Sequence, residues 1–240
     1  MTGRRSDGYH PIEAEMVTVD LVDTVRIHPA PASSLRLAGP AAAADVPAGP
    51  GNLVLVALQA AGVTAAVVLV KRIPAGAGLG GGSADAAAVL RWAGVTDPGV
   101  ALSIGADVPF CLVGGRARVG GIGEVVEPRP DLDQSFTLLT PPFGVSTAAV
   151  YRAWDEMGGP VGDHGNDLEP AALRVEPRLA HFRDDLWRLS GSRPRLAGSG
   201  GTWFTIGEHV PAPSVDLADG PGHGAGGRSG LRVVRTQVRP

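Results

Sequence analysis

The chain has 240 residues, 44% hydrophobic and 19% charged, enough to bury a core in one large domain or two small ones, and too apolar for a disordered tail. A net charge of −3 excludes a generally basic nucleic-acid binder. Cys111 is the only cysteine, which excludes an internal disulfide framework and fits a reducing, cytoplasmic compartment. No uninterrupted apolar run is long enough to span a membrane, and no signal-peptide succession opens the sequence, so a soluble mixed α/β protein is expected.

In chain order, Thr2–Glu15 is polar and turn-rich, with no strand ahead of it. Val17, Val19 and Leu21 then alternate with Thr18 and Asp20, and Val25 and Ile27 resume the pattern, which predicts a strand pair or a bent strand. Residues 29–51, rich in Pro, Ala and Gly, read as a surface loop. Asn52 is placed to cap a short helix through Leu53 and Ala60, stopped by Gly62. Ala65–Ile73 reads as a buried strand ended by Pro74.

Five glycines follow, at 76, 78, 80, 81 and 82, and Ser83 is a candidate N-cap for a helix over Ala84–Ala93. Residues 94–106 leave little room for structure, and Phe110–Val113 with Gly114–Val119 suggests a hairpin. Phe136–Leu139 reads as a strand, and Pro141-Pro142 marks a domain junction, giving expected domains of 1–139 and 140–240. Thr147–Met157 and Ala171–Leu189 read as helices. A second glycine turn, Gly198–Gly201, leads into a strand at Thr202–Ile206. Residues 207–230 have no period and read as loop or disorder, and Leu231–Val238 is a last strand candidate.

Strand, glycine loop and helix form the most informative pattern. A helix N-terminus presents unpaired N–H groups and about half a positive charge, and glycines let the backbone approach an anion. No basic side chain lies between Pro74 and Val89, so phosphate binding there would be by backbone. A P-loop is excluded because GxxxxGK[ST] needs a lysine that is absent. Gly76, Gly78 and Gly81 formally satisfy the dinucleotide pattern GxGxxG, which keeps a Rossmann-type oxidoreductase open, and a turn that only packs a helix on a sheet is a third reading.

The segments DGYHPIEAEMVTVDLVDTVRI, KRIPAGAGLGGGSADAA, GADVPF, NDLEP and LAGSGGTWF together resemble, in order from Asp7 to Phe204, the motifs of the GHMP small-molecule kinases. The resemblance implies an α+β fold of two domains, ribosomal protein S5 domain 2-like and then ferredoxin-like, with the active site in the cleft between them. It also implies ATP and Mg²⁺ as requirements, and phosphorylation of the 2-hydroxyl of a cytidine-diphosphate-linked methylerythritol in the non-mevalonate isoprenoid pathway.

By the same resemblance, ATP's phosphates lie on Pro74, Ala75, Gly76, Ala77, Gly78, Leu79, Gly80, Gly81, Gly82, Ser83 and Ala84, with Lys71 just before them as a candidate nucleotide contact. Lys71, the only lysine, reads equally as a strand-end residue in solvent. Asp107 matches the catalytic aspartate; read alone, it caps a turn before Pro109. Tyr9 and His10 match a cytidine-recognising pair and Tyr151 the aromatic on the base's other side, where half-buried tyrosines and a surface turn histidine are the plain alternatives. Ser83 would cap its helix, touch a phosphate or help hold Mg²⁺. Gly198, Gly200 and Gly201 match a loop that buttresses the phosphate loop, or form a simple turn. Asn166 and Asp167 match a family segment without an assigned chemistry.

Family members usually begin with a strand carrying a PAK-N lysine, and this sequence starts at Met1-Thr2-Gly3, after that strand. Two further readings follow: a nucleotide-binding homologue impaired in catalysis, and a different GHMP kinase. No His/Cys cluster has metal-ligand spacing, so no structural metal is expected. Arg4-Arg5 and Arg116/Arg118 lack interleaved aromatics, so no nucleic-acid partner is expected either, and nothing in the sequence sets an oligomeric state.

Overall fold

The computed structural model describes residues 10–42, 46–162, 165–210 and 230–237. The chain divides into two compact units, one of Met1–Ala75, Gly80–Leu132 and Thr236–Pro240, the other of Gly76–Leu79 and Asp133–Arg235.

The first unit holds two three-stranded sheets. One runs β1 (Ile12–Val17), β5 (Arg116–Gly121) and β6 (Val125–Arg129), all antiparallel, with β5 central. β1 lies in the stretch expected to be turn-rich. Ile12 and Met16 pack with Val119 and Phe110, while Glu13 and Glu15 on the other face meet Arg118 at 2.8 Å and Arg116 at 2.6 Å across the β1–β5 ladder. Such exposed pairs contribute about 0–1 kcal/mol each, so the buried face sets the register.

The other sheet runs β2 (Thr24–Pro29), β4 (Ala65–Val70) and β3 (Ser34–Ala38), with β2 antiparallel and β3 parallel to β4. β3 interrupts the expected 29–51 loop, held by Leu35 and Leu37 against the core. That core joins Val67 and Leu69 of β4 to Val54 and Leu58 of α1 (Leu53–Ala60), Val89 and Leu90 of α2 (Gly81–Trp92) and Ala101 and Ile104 of α3 (Pro98–Ile104). Asn52 caps α1 as expected, accepting from Val54 N–H at 3.0 Å. Asp97 caps α3, accepting from Gly99 and Val100, and so builds a helix where little structure was expected. The expected hairpin at 110–119 is instead α4 (Val108–Val113) followed by β5. Pro109 in the first turn favours the start of that helix, and its buried Val108 and Phe110 pack on other elements.

The second unit is a four-stranded antiparallel sheet in the order β10 (Gly230–Arg235), β7 (Ser135–Thr140), β9 (Trp203–Ile206), β8 (Arg195–Leu196). The strand expected to close the first domain is therefore central here, because β7 pairs with both β9 and β10, and the unit boundary falls at Leu132/Asp133. Three helices accompany it: α5 (Thr147–Glu156), α6 (Glu169–Val175) and α7 (Leu179–Ser190). The single helix expected over 171–189 breaks at Pro177, since a proline ring denies the preceding residue its helical conformation. α7 packs on β7 and β9, and Leu179, Leu186, Trp203 and Leu139 are buried. Of the long loop expected over 207–230, residues 211–229 lie outside the described residues, as does the end of the strand candidate beyond Gln237.

Candidate active site

Within the first unit, the site is built on the start of α2. Gly80 is the N-cap in the left-handed conformation (φ +64°), and no side chain caps the helix. The chain curls at this glycine and the helix starts at Gly81, so Ser83 is an in-helix residue rather than the expected N-cap. The amides of Gly81, Gly82 and Ser83 precede the first intrahelical bond, which Ala84 N–H donates to Gly80 O at 2.9 Å. Three orphan donors and a helix dipole thus point the same way, an arrangement suited to an anion.

Asp107 faces this end. Its Oδ2 lies 3.9 Å from where a Cβ on Gly80 would stand. Although Asp107 is the N-cap residue of α4, its side chain caps nothing, which sets aside the reading of it as a turn cap. α4 packs on α2, and Arg91 near the end of α2 donates from Nη1 to Cys111 O in α4 at 2.7 Å, tying the two helices there. Burial pushes the Asp107 carboxyl above the ordinary carboxylate value. Ser83 Oγ is also near, 3.9 Å from a Cβ built on Gly105. Cys111, one turn along α4, is no candidate nucleophile: burial, and secondarily the Asp107 charge, push its thiol up to about 12.

Lys71 is neither in solvent nor free for a nucleotide. It is 4% exposed, with Nζ bonded to Asp23 Oδ2 and, at 2.8 Å, to Asp85 Oδ2. Asp23 Oδ1 accepts in turn from the amides of Arg72 and Ile73. The three charges lie under the start of α2, where a Cβ on Gly81 would meet Ile73 Cγ2 at 2.8 Å and Asp23 Oδ2 at 3.5 Å. Lys71 therefore ties the end of β4 and the start of β2 to α2. Burial pushes Asp85 up to about 6 against the Lys71 charge that holds it down.

Within the second unit, Gly76–Leu79 packs backbone to backbone on the second glycine turn. Thr202 N–H donates to Ala77 O at 3.0 Å, and a Cβ on Gly78 (φ +74°) would stand 2.3 Å from Ala197 O and 2.6 Å from Gly200 O. Gly198 approaches Gly78 O and Gly201 approaches Gly76 O in the same way. Val145 N–H donates to Gly76 O at 3.1 Å, two residues before α5, and Thr147 Oγ1 is 2.8 Å from Ser199 Oγ. Sequence reasoning missed Thr147, Ser199 and the role of Asn166, whose Nδ2 donates to Leu196 O and Gly198 O, both at 2.8 Å. No local spacing announces a partner thirty residues away. Asp167 accepts from Gly162 N–H at 3.2 Å.

Of the cytidine candidates, Tyr9 lies outside the described residues. His10 is half-buried just before β1, in the first unit, and Tyr151 is half-buried on α5, in the second. Among the described residues, no group of three or more His, Cys, Asp or Glu side chains could hold a metal, and no helix is long and apolar enough to cross a membrane.

The family model "GHMP kinases N terminal domain" matches residues 52–96, from the cap of α1 to just past α2. Homoserine kinase from Cytophaga hutchinsonii has a TM-score of 0.54 at 15% identity, covering 80% of this chain and 78% of that one, a likeness of fold alone. The α+β fold is thus that of the GHMP kinases.

Closer likenesses narrow the class. The 4-diphosphocytidyl-2-C-methyl-D-erythritol kinase of Paramagnetospirillum magneticum is 38% identical over 86% of this chain and 84% of its own length. That of Pelotomaculum thermopropionicum is 39% identical over 85% and 83%. A crystal structure of 4-(cytidine 5'-diphospho)-2C-methyl-D-erythritol kinase gives a TM-score of 0.68 at 31% identity, covering 97% of this chain and 93% of that one. The chain belongs to the 4-diphosphocytidyl-2-C-methyl-D-erythritol kinase family.

Proposed function

We propose that this protein uses ATP to phosphorylate the 2-hydroxyl of 4-diphosphocytidyl-2-C-methyl-D-erythritol in the non-mevalonate route to isoprenoids. The observation that carries the chemistry is the Asp107 carboxylate beside an uncapped helix N-terminus, 3.9 Å from the Gly80 Cβ position. Phosphoryl transfer asks mainly for positioning and charge stabilisation, plus a base for the attacking hydroxyl.

In this reading the loop Pro74–Ala84 receives the ATP phosphates, chiefly on the free amides of Gly81, Gly82 and Ser83, and Ser83 Oγ adds one donor. Asp107 accepts the proton of the 2-hydroxyl as its oxygen bonds to the γ-phosphorus and the bridging P–O bond breaks, releasing ADP. A carboxyl raised by burial is a stronger base than an exposed one. Ser83 Oγ would help hold Mg²⁺, which when bound would supply charge neutralisation of the phosphate oxygens. His10, with Tyr9, would read the cytosine, the histidine at the base edge and the tyrosine by stacking; Tyr151 is the separate candidate aromatic of the second unit. Lys71 serves the loop as a strut. A cytosolic location completes the reading.

The test is incubation of the chain with ATP, Mg²⁺ and 4-diphosphocytidyl-2-C-methyl-D-erythritol, measuring ADP and phosphorylated product, with Asp107→Asn beside it. Turnover is expected to fall about 10²–10⁴-fold in the variant. Unchanged turnover would remove Asp107 from the mechanism, and ATP binding without product would leave a nucleotide-binding protein.

A further inference from the structure

We infer that Asn166 is a positioning residue for ATP, holding the Ala197–Thr202 turn in the shape that the Gly76–Leu79 part of the phosphate loop requires. The inference rests on the kinase reading above and deepens it. Asn166 lies just before α6, half-buried, and uses its whole amide. Both Nδ2 hydrogens go to carbonyls at the head of the turn, Leu196 O and Gly198 O, while Oδ1 accepts from Leu168 N–H at 2.9 Å. A hydroxyl or a carboxylate cannot make this pattern, which needs two donors and one acceptor in one plane.

The turn is rigidly coupled to the loop. No side chain separates the two backbones: Thr202 N–H bonds to Ala77 O, Gly78 sits against the carbonyls of Ala197 and Gly200, and Gly201 sits against Gly76 O. Movement of the Gly198 carbonyl is therefore handed on to the amides of Gly76–Leu79. A second tie, Ser199 Oγ to Thr147 Oγ1 at 2.8 Å, holds the tip of the same turn to the first residue of α5. Asn166 reaches the phosphate loop through this turn, so its loss should be read in nucleotide affinity.

Asn166→Asp is the discriminating substitution. It is nearly isosteric and keeps the acceptor for Leu168 N–H, but it turns a carboxylate oxygen toward two carbonyl oxygens. In steady-state kinetics of the full chain, the KM for ATP is expected to rise about tenfold, with kcat and the KM for the cytidyl substrate within about twofold. Parallel rises in both KM values, or a lower melting temperature with an unchanged ATP KM, would overturn the inference. Should that variant not fold, Ser199→Ala decides: a raised ATP KM supports the coupling, and an unchanged one overturns it. Wild-type chain that neither binds nor consumes ATP would instead overturn the kinase reading, a result visible before any variant is made.

Discussion

A Cβ added to Gly78 would meet the Ala197 carbonyl oxygen at 2.3 Å while φ stays at +74°. Gly78→Ala must therefore push apart two backbones that have no flexible side chain between them, and we expect a loss of about 1–3 kcal/mol, measurable by chemical denaturation, with weaker ATP binding. Asp107 behaves in the opposite sense. Its carboxyl is raised by burial, so the charge it carries at neutral pH costs stability: the contribution is present below the ordinary carboxylate value and lost as pH rises through the raised one. Asp107→Asn should thus melt no lower than wild type near neutral pH while losing turnover. A fall in melting temperature alongside the activity would mark Asp107 as structural. In wild type, the acidic limb of kcat/KM should lie above the ordinary carboxylate value, because the base must be ionised.

Among the elements, the join of β2, β4 and α2 depends on one cation between two carboxylates. Lys71→Met would leave Asp23 and Asp85 facing each other without a counter-charge, and removal of one partner from a buried pair costs about 3–5 kcal/mol. Asp85→Asn keeps a hydrogen-bond acceptor and leaves Lys71 and Asp23 balanced, so its cost should be much smaller; equal losses in denaturant titrations would refute this account. The pH dependence follows from the raised pKa of Asp85. The stability it adds is full below the ordinary carboxylate value and disappears as pH rises through about 6, so wild type should lose part of its stability across that window and Asp85→Asn should not.

The strand–loop–helix at 65–92 was legible in sequence because glycine, alanine and β-branched residues act locally. β1 and β3 were not: they are short and half-buried, and their polar faces are carried by Glu and Arg in turn-like company. Phe110–Val113 reads as a hairpin strand in sequence but lies in α4, because a short apolar run has no period of its own. The partners of Lys71 lie 48 and 14 residues away, and the acceptors of Asn166 lie 30 and 32 away, so only folding brings them together.

At the scale of the molecule, the glycine segment is shared between the two units, Gly76–Leu79 with one and Gly80 onward with the other. Each share is fixed by its own unit, by the Gly198–Gly201 turn in one and by the Lys71 cluster in the other. Nucleotide that binds only the folded chain should stabilise it by about 2.7 kcal/mol at a hundredfold excess over Kd. Chelation of Mg²⁺ with EDTA should shrink that gain and stop turnover; a stabilisation indifferent to EDTA would show that the metal plays no part in holding ATP.

The buried cation has a consequence for covalent chemistry. Lys71 is the only lysine in 240 residues, and folding leaves it 4% exposed. The native protein offers no accessible side-chain amine to acylating reagents, to aldehydes or to enzymes that acetylate lysine or conjugate ubiquitin to it. The ε-amine becomes reactive only when β2, β4 and α2 come apart, so its rate of labelling is a direct clock for the opening of that junction.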